Sequence, residues 1–83
     1  MSGLTAICDL ADREGWWLLE QSEDLRRSVF FKWSGDVRME LCVLADRAGR
    51  IEAASLWHNR RHDIRQQPGV RQYAERVLRE ATS

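Results

Sequence analysis

Residues 37–57, VRMELCVLADRAGRIEAASLW, constrain the fold of this 83-residue chain more than any other stretch. Apolar and polar residues alternate on both sides of Asp46-Arg47-Ala48-Gly49, the pattern of two β-strands with one face buried. Val37, Met39, Leu41, Val43 and Ala45 share one face of the first arm, and Ile51, Ala53, Ser55 and Trp57 share one face of the second. A type I turn with Gly49 in the left-handed region closes such a loop, because glycine takes positive φ without a Cβ clash. The register that follows pairs Ala45 with Ile51, Val43 with Ala53, Leu41 with Ser55 and Met39 with Trp57, so like faces meet throughout.

Upstream, Leu4, Ile7, Cys8 and Ala11 recur at helical spacing, with Ser2 able to cap and Gly15 able to stop a helix over about residues 3–14. Residues 16–21 read as a strand, residues 22–24 as a turn, and Arg27 to Trp33, RSVFFKW, as a second strand rich in residues that favour a pleated surface. A three-residue connection, Ser34-Gly35-Asp36, pairs Trp33 with Val37, Phe31 with Met39 and Val29 with Leu41. A two-residue connection would put Lys32 on the core face, so the three-residue register is expected.

After Trp57, HNRRHDIRQQ reads as a polar connector. Pro68 suits the first turn of a helix whose apolar stripe is Val70, Tyr73, Ala74, Val77, Leu78 and Ala81. Arg71/Glu75, Glu75/Arg79 and Arg76/Glu80 fall at i, i+4 on its outer face. Short connections require antiparallel pairing. The expected architecture is a two-layer α+β fold in one domain over residues 1–83: an N-terminal helix, a four-stranded antiparallel meander and a C-terminal helix, with both helices on the apolar face of the hairpin.

A hydrophobic fraction of 43% and a charged fraction of 31% are those of an ordinary globular protein, and the formal net charge of zero gives no global field toward nucleic acid or membrane. Charge is nonetheless unevenly spread. Residues 1–25 hold six acids and one base, a net of −5, and residues 26–83 hold twelve bases and seven acids, a net of +5. No signal peptide and no membrane span is read, so the expected compartment is the cytoplasm of a bacterium or a phage-infected host cell. Cys8 and Cys42 lie far apart, which favours free thiols over a bridge.

In the expected register Phe30, Cys42, Leu44, Ala54 and Leu56 point away from the helices, interleaved with charged side chains. A contiguous apolar patch on a small domain marks a contact surface. The candidate partner-binding residues there are Phe30, Arg38, Glu40, Leu44, Glu52 and Leu56. Of four tryptophans, Trp33 and Trp57 read as core, while one of Trp16 and Trp17 must face outward and can anchor an interface. Arg60, Arg61 and Arg65 make the connector basic enough to meet an acidic protein or a phosphate backbone. Arg47 and Arg50 fall at the other end of the hairpin, however, and only Phe30 stands as an outward aromatic on which a base could stack.

His58 and His62 are spaced i, i+4, but HNRRH lacks the Glu of a hydrolytic zinc helix and is flanked by positive charge, so no metal is expected. Asp63 beside His62 is a weak acid–base pair. No phosphate loop, nucleophile elbow or carboxylate pair is present, so neither catalysis nor a cofactor is expected.

In its short length and one compact α+β unit the chain resembles small phage-borne inhibitors of the anti-CRISPR type and toxin-neutralising immunity proteins. These share a format and no motif. The resemblance implies a non-catalytic inhibitor that occludes a larger protein partner, including a nucleoprotein effector complex. Two other readings remain open: a nucleic-acid-binding module using Arg60, Arg61 and Arg65, and a homodimeric accessory subunit joined through its outer sheet face or an edge strand.

Overall fold

The computed structural model describes residues 3–58 and 60–80. The chain runs α1 (Gly3–Arg13), β1 (Trp17–Gln21), β2 (Arg27–Ser34), β3 (Val37–Ala45), β4 (Ile51–His58), β5 (Arg61–Gln66) and α2 (Val70–Glu80). All strand pairs are antiparallel, in the order β1-β2-β3-β4-β5. The meander therefore has five strands where four were expected. The fifth, Arg61–Gln66, lies within the polar connector, and all six of its residues are exposed. Backbone pairing with β4 holds it and no apolar face does, so hydrophobic alternation could not reveal it. The proposed cap at Ser2 and the last stripe position, Ala81, lie outside the described residues.

Helix α1 ends as its glycine predicts. Gly15 has φ 80°, its N–H donates to the Asp12 carbonyl at 3.2 Å, and the Trp16 N–H donates to the Ala11 carbonyl at 2.8 Å. These two bonds are the Schellman pattern, which satisfies carbonyls that the helix leaves free. At the other end of the helix the Leu4 N–H donates to the Gly49 carbonyl in the β3–β4 loop. That loop closes as expected: Gly49 has φ 86°, and the Asp46 carboxylate accepts from the Ala48 and Arg50 N–H groups. Helix α2 starts at Val70, with the Tyr73 N–H bonded to the Gly69 carbonyl. Pro68 thus precedes the first turn instead of lying within it.

The register of β2 differs from the expected one. Ser34 pairs with Val37, so the connection is the two-residue Gly35-Asp36, with Gly35 at φ 62° where a type II′ turn places glycine. One residue of slip turns every side chain of the strand over. Phe30, opposite Leu41, enters the core at 3% exposure, whereas Trp33, opposite Arg38, is 59% exposed. Lys32 does take the core side. Its Nζ donates to the Glu14 carbonyl at 2.6 Å, at the negative end of α1. That contact is what makes the register acceptable.

A second shift lies between Leu44 and Ala45. Ala45 still pairs with Ile51, but Leu44 pairs with Ala53, leaving Glu52 as an extra residue in β4. Beyond it Ala54 and Leu56 join Val43 and Leu41 on the core side, and Ala53, Ser55 and Trp57 turn away. Arg26 secures the bulge, donating from Nε to the Ala45 carbonyl and meeting Glu52 at 3.4 Å.

The buried side chains of both helices form one cluster with Phe30, Met39, Leu41, Val43, Ala45, Ile51 and Ala54. Helix α2 packs on β4 and on α1, and Trp16 Nε1 ties the two helices together by donating to the Leu78 carbonyl at 3.1 Å. No helix among the described residues is long and apolar enough to cross a membrane.

Two outcomes follow from this packing. Phe30→Ala should cost about 3–5 kcal/mol in urea denaturation, and Trp33→Ala less than about 1 kcal/mol; the reverse ranking would mean the three-residue connection. Tyr73 Oη is buried with no hydrogen-bond partner among the described residues, and burial followed by the Asp63 charge pushes the phenol above its ordinary 10.0. The folded state therefore holds this proton more tightly than the unfolded state, and stability should fall as pH climbs through 10.0. Tyr73→Phe should remove that fall without loss of stability near neutrality, as checked by urea denaturation on both sides of that pH.

Candidate binding face

Strand alternation and the two register shifts decide which side chains share the face opposite Leu41. One row crosses all five strands: Trp17, Phe31, Glu40, Trp57 and His62. Four strand spacings make that row about 19 Å long. A parallel row holds Val29, Cys42, Ser55 and Ile64, with Arg27, Leu44, Ala53 and Gln66 beyond it and Trp33 beside Arg38 on the other flank. Trp17 is 68% exposed, Trp57 49%, Ile64 62% and Leu44 40%. Together with Trp33 they make an open face that is aromatic along its length.

Trp57 and His62 stack with ring centroids 3.9 Å apart and planes 8° from parallel, and this contact fixes β5 against β4 on the open side. Beside the stack, Cys42, Leu44, Ala53, Ser55, His62 and Ile64 line a shallow depression of about 230 Å³. This volume suits one inserted side chain better than a cofactor. The charges on the face are paired within it. Arg27 meets Glu20 at 3.0 Å, and Arg38 meets Glu40 at 4.0 Å while its guanidinium lies 4.8 Å from the centre of the Phe31 ring. Exposed pairs of this kind add little stability, but they cancel the local field.

The structure redistributes the residues singled out from the sequence. Arg38, Glu40 and Leu44 are on the open face as expected. Phe30 and Leu56 are not: Phe30 is in the core and Leu56 packs against it, because the two-residue turn and the bulge at Glu52 invert their strands. Glu52 sits in the bulge, engaged with Arg26. Of the adjacent tryptophans, Trp16 is buried at 5% and Trp17 is outward. Trp33 and Trp57, expected in the core, are exposed for the same register reasons.

Arg60, Arg61 and Arg65 do not join the open face. Arg60 is exposed at the turn before β5. Arg61 and Arg65 alternate to the other side of β5, where Arg65 stands 5.3 Å from the centre of the Tyr73 ring. His58 and His62 occupy opposite sides of the sheet, as do His62 and Asp63, so both the suggested ligand pair and the acid–base pair are split. Among the described residues no group of three or more His, Cys, Asp and Glu side chains is placed to hold a metal ion. Cys8 and Cys42 are free thiols, and burial, with the charge of Asp9, pushes the Cys8 thiol upward.

Phe31, Trp33, Trp57, His62 and Ile64 are the face residues that sequence reasoning missed. The three-residue connection, expected because it keeps Lys32 off the core face, turns Phe31 and Trp33 inward, an unbulged β4 does the same to Trp57, and a connector in place of β5 hides His62 and Ile64. A usable signal is Ser55, which the expected pairing placed in the core opposite Leu41 and which the bulge moves outward. No family model, curated protein or solved structure matches the chain.

Single-tryptophan variants should report this arrangement by fluorescence. The Trp16 variant should emit to the blue and resist acrylamide, while those retaining Trp17, Trp33 or Trp57 should be quenched freely. Protection of Trp33 or Trp57 in the isolated monomer would refute the open face.

Proposed function

We propose that the protein is a non-catalytic binding protein that occludes a larger protein partner through the open face of its sheet. In this reading both helices cover the opposite face and the protein acts in the cytoplasm. The observation that carries it is the set Trp17, Trp33 and Trp57, exposed on one face whose charged groups are already paired. Tryptophan in a desolvated contact is the side chain most often found to dominate binding energy. A face with no net charge to offer fits a protein partner whose own contact surface is apolar and uncharged, with one protruding side chain for the depression beside Leu44. Blocking such a surface needs no chemistry, only tight exclusion of the partner's other ligands. That is the mode the anti-CRISPR-type and immunity-type format implies.

A second reading has one observation in its favour. Exposed aromatics beside an arginine, as in Phe31 with Arg38 and the stacked Trp57, resemble the platforms on which single-stranded nucleic acid stacks. Against it, Arg27 and Arg38 have carboxylate partners, and Arg61 and Arg65 lie on the other side of the sheet.

Salt separates the two. Mixed-sequence single-stranded RNA at about 50 mM salt should leave the tryptophan fluorescence unchanged; quenching that fades steeply with added salt would favour nucleic acid. For a partner identified by affinity capture, Trp57→Ala and Leu44→Glu should each weaken binding by at least about 2 kcal/mol with little change between low and high salt. Retained affinity in both variants would overturn the face assignment.

A further inference from the structure

Both ends of the sheet present an edge, and they are built differently. β1 pairs with β2 through a register shift between Leu18 and Glu20, an irregularity of the kind that discourages further strands from adding. β5 pairs with β4 over six residues without a shift, and among the described residues no strand pairs with its far side. We infer that two copies of this chain join edge to edge along β5, antiparallel about a two-fold axis at Ile64, with Asp63 of each copy opposite Arg65 of the other.

The charge pattern selects both the partner and the register. A two-fold axis perpendicular to the sheet keeps each side chain on its own face, so the pairing must centre on a residue that meets itself. Centred on Asp63, the edge sets Asp63 against Asp63 and Arg61 against Arg65, like charges in every charged pair. Centred on Arg65, it opposes two arginines. Centred on His62, only residues 61–63 of each β5 overlap. Centred on Ile64, residues 62–66 overlap: Asp63 meets Arg65 twice, Ile64 meets Ile64, and His62 meets Gln66. This register alone combines a long overlap with opposite charges.

Among the described residues neither Asp63 nor Arg65 forms an ion pair within the chain, and Ile64 is 62% exposed. Arg65 and Arg76 both lie over the Tyr73 ring, at 5.3 and 5.9 Å, so two guanidinium groups share one ring. A carboxylate arriving from the second copy meets the nearer of them. On the open side the two Ile64 side chains would close the gap between the two Trp57–His62 stacks. Two five-stranded sheets would then become one of ten strands with a continuous open face.

The test is independent of what that face binds. Sedimentation velocity on the full chain over a wide concentration range should show a reversible dimer. Asp63→Arg sets like charges opposite one another twice and should raise the dissociation constant by roughly tenfold or more. Asp63→Arg combined with Arg65→Asp exchanges the charges and should restore dimerisation to near its original strength. Circular dichroism checks each variant for folding, and if Asp63→Arg alone unfolds, the exchanged pair decides. A strict monomer at every concentration overturns the inference. So does a dimer that Asp63→Arg spares, or an exchanged pair that folds and stays monomeric.

Discussion

The Lys32 ammonium and the Glu14 carbonyl decide which side of the second strand is buried. An ammonium turned toward a core without a partner costs several kcal/mol, enough to forbid a register. Here the lysine stem runs along apolar surface to the carbonyl end of α1, where the helix already carries partial negative charge. The two-residue turn at Gly35 becomes admissible, and with it Phe30 enters the core and Phe31 and Trp33 leave it. A residue that counts against this register when the strand is considered alone is stabilising once the helix end is beside it. The same contact holds α1 to the sheet, so helix placement and strand register are one event.

The bulge at Glu52 does for β4 what Lys32 does for β2. Without it Ser55 would oppose Leu41 in the core, and Ala54 and Leu56 would lie outside. With it the strand presents Ile51, Ala54 and Leu56 inward, a fully apolar set, and moves Trp57 to the open face. The extra residue is charged, and Arg26 both pairs with it and bonds the backbone beside it. Two local irregularities, each stabilised by a cation reaching a carbonyl, thus place Trp33 and Trp57 on the surface.

Element types were legible where hydrophobic period and turn chemistry agree. The stripe Val70, Tyr73, Ala74 and Leu78 marks α2, Gly15 ends α1, and Asp46 to Gly49 closes the hairpin. The sides that β2 and β4 bury were not legible, because they depend on contacts between residues far apart in sequence: Lys32 with Glu14, and Arg26 with Glu52. β5 was illegible for another reason. Its side chains never enter the core, and it is held by backbone pairing, the Trp57–His62 stack, and Arg65 over Tyr73. Of the candidate face, Arg38, Glu40 and Leu44 survive because the sides of β3 follow from its own alternation, whatever the register of its neighbours.

Burial energetics bear on why the tryptophans are outside. A domain of this size has a thin core and a net stability of roughly 5–15 kcal/mol. Burying a large aromatic contributes about 1.5–3 kcal/mol relative to leaving it exposed. Trp17, Trp33 and Trp57, each about half exposed or more, therefore forgo a sum comparable with a large part of that net stability. The chain fills its core with Phe30, Leu41, Ile7 and Leu78 instead, and spends an extra residue in β4 to turn Trp57 outward. A fold selected for stability alone would not hold its largest apolar side chains where water reaches them. A fold that must desolvate a partner would, because the burial forgone on folding becomes available on binding. In such a contact the paired charges around those rings would have their partners already in place and would bring no isolated charge into it.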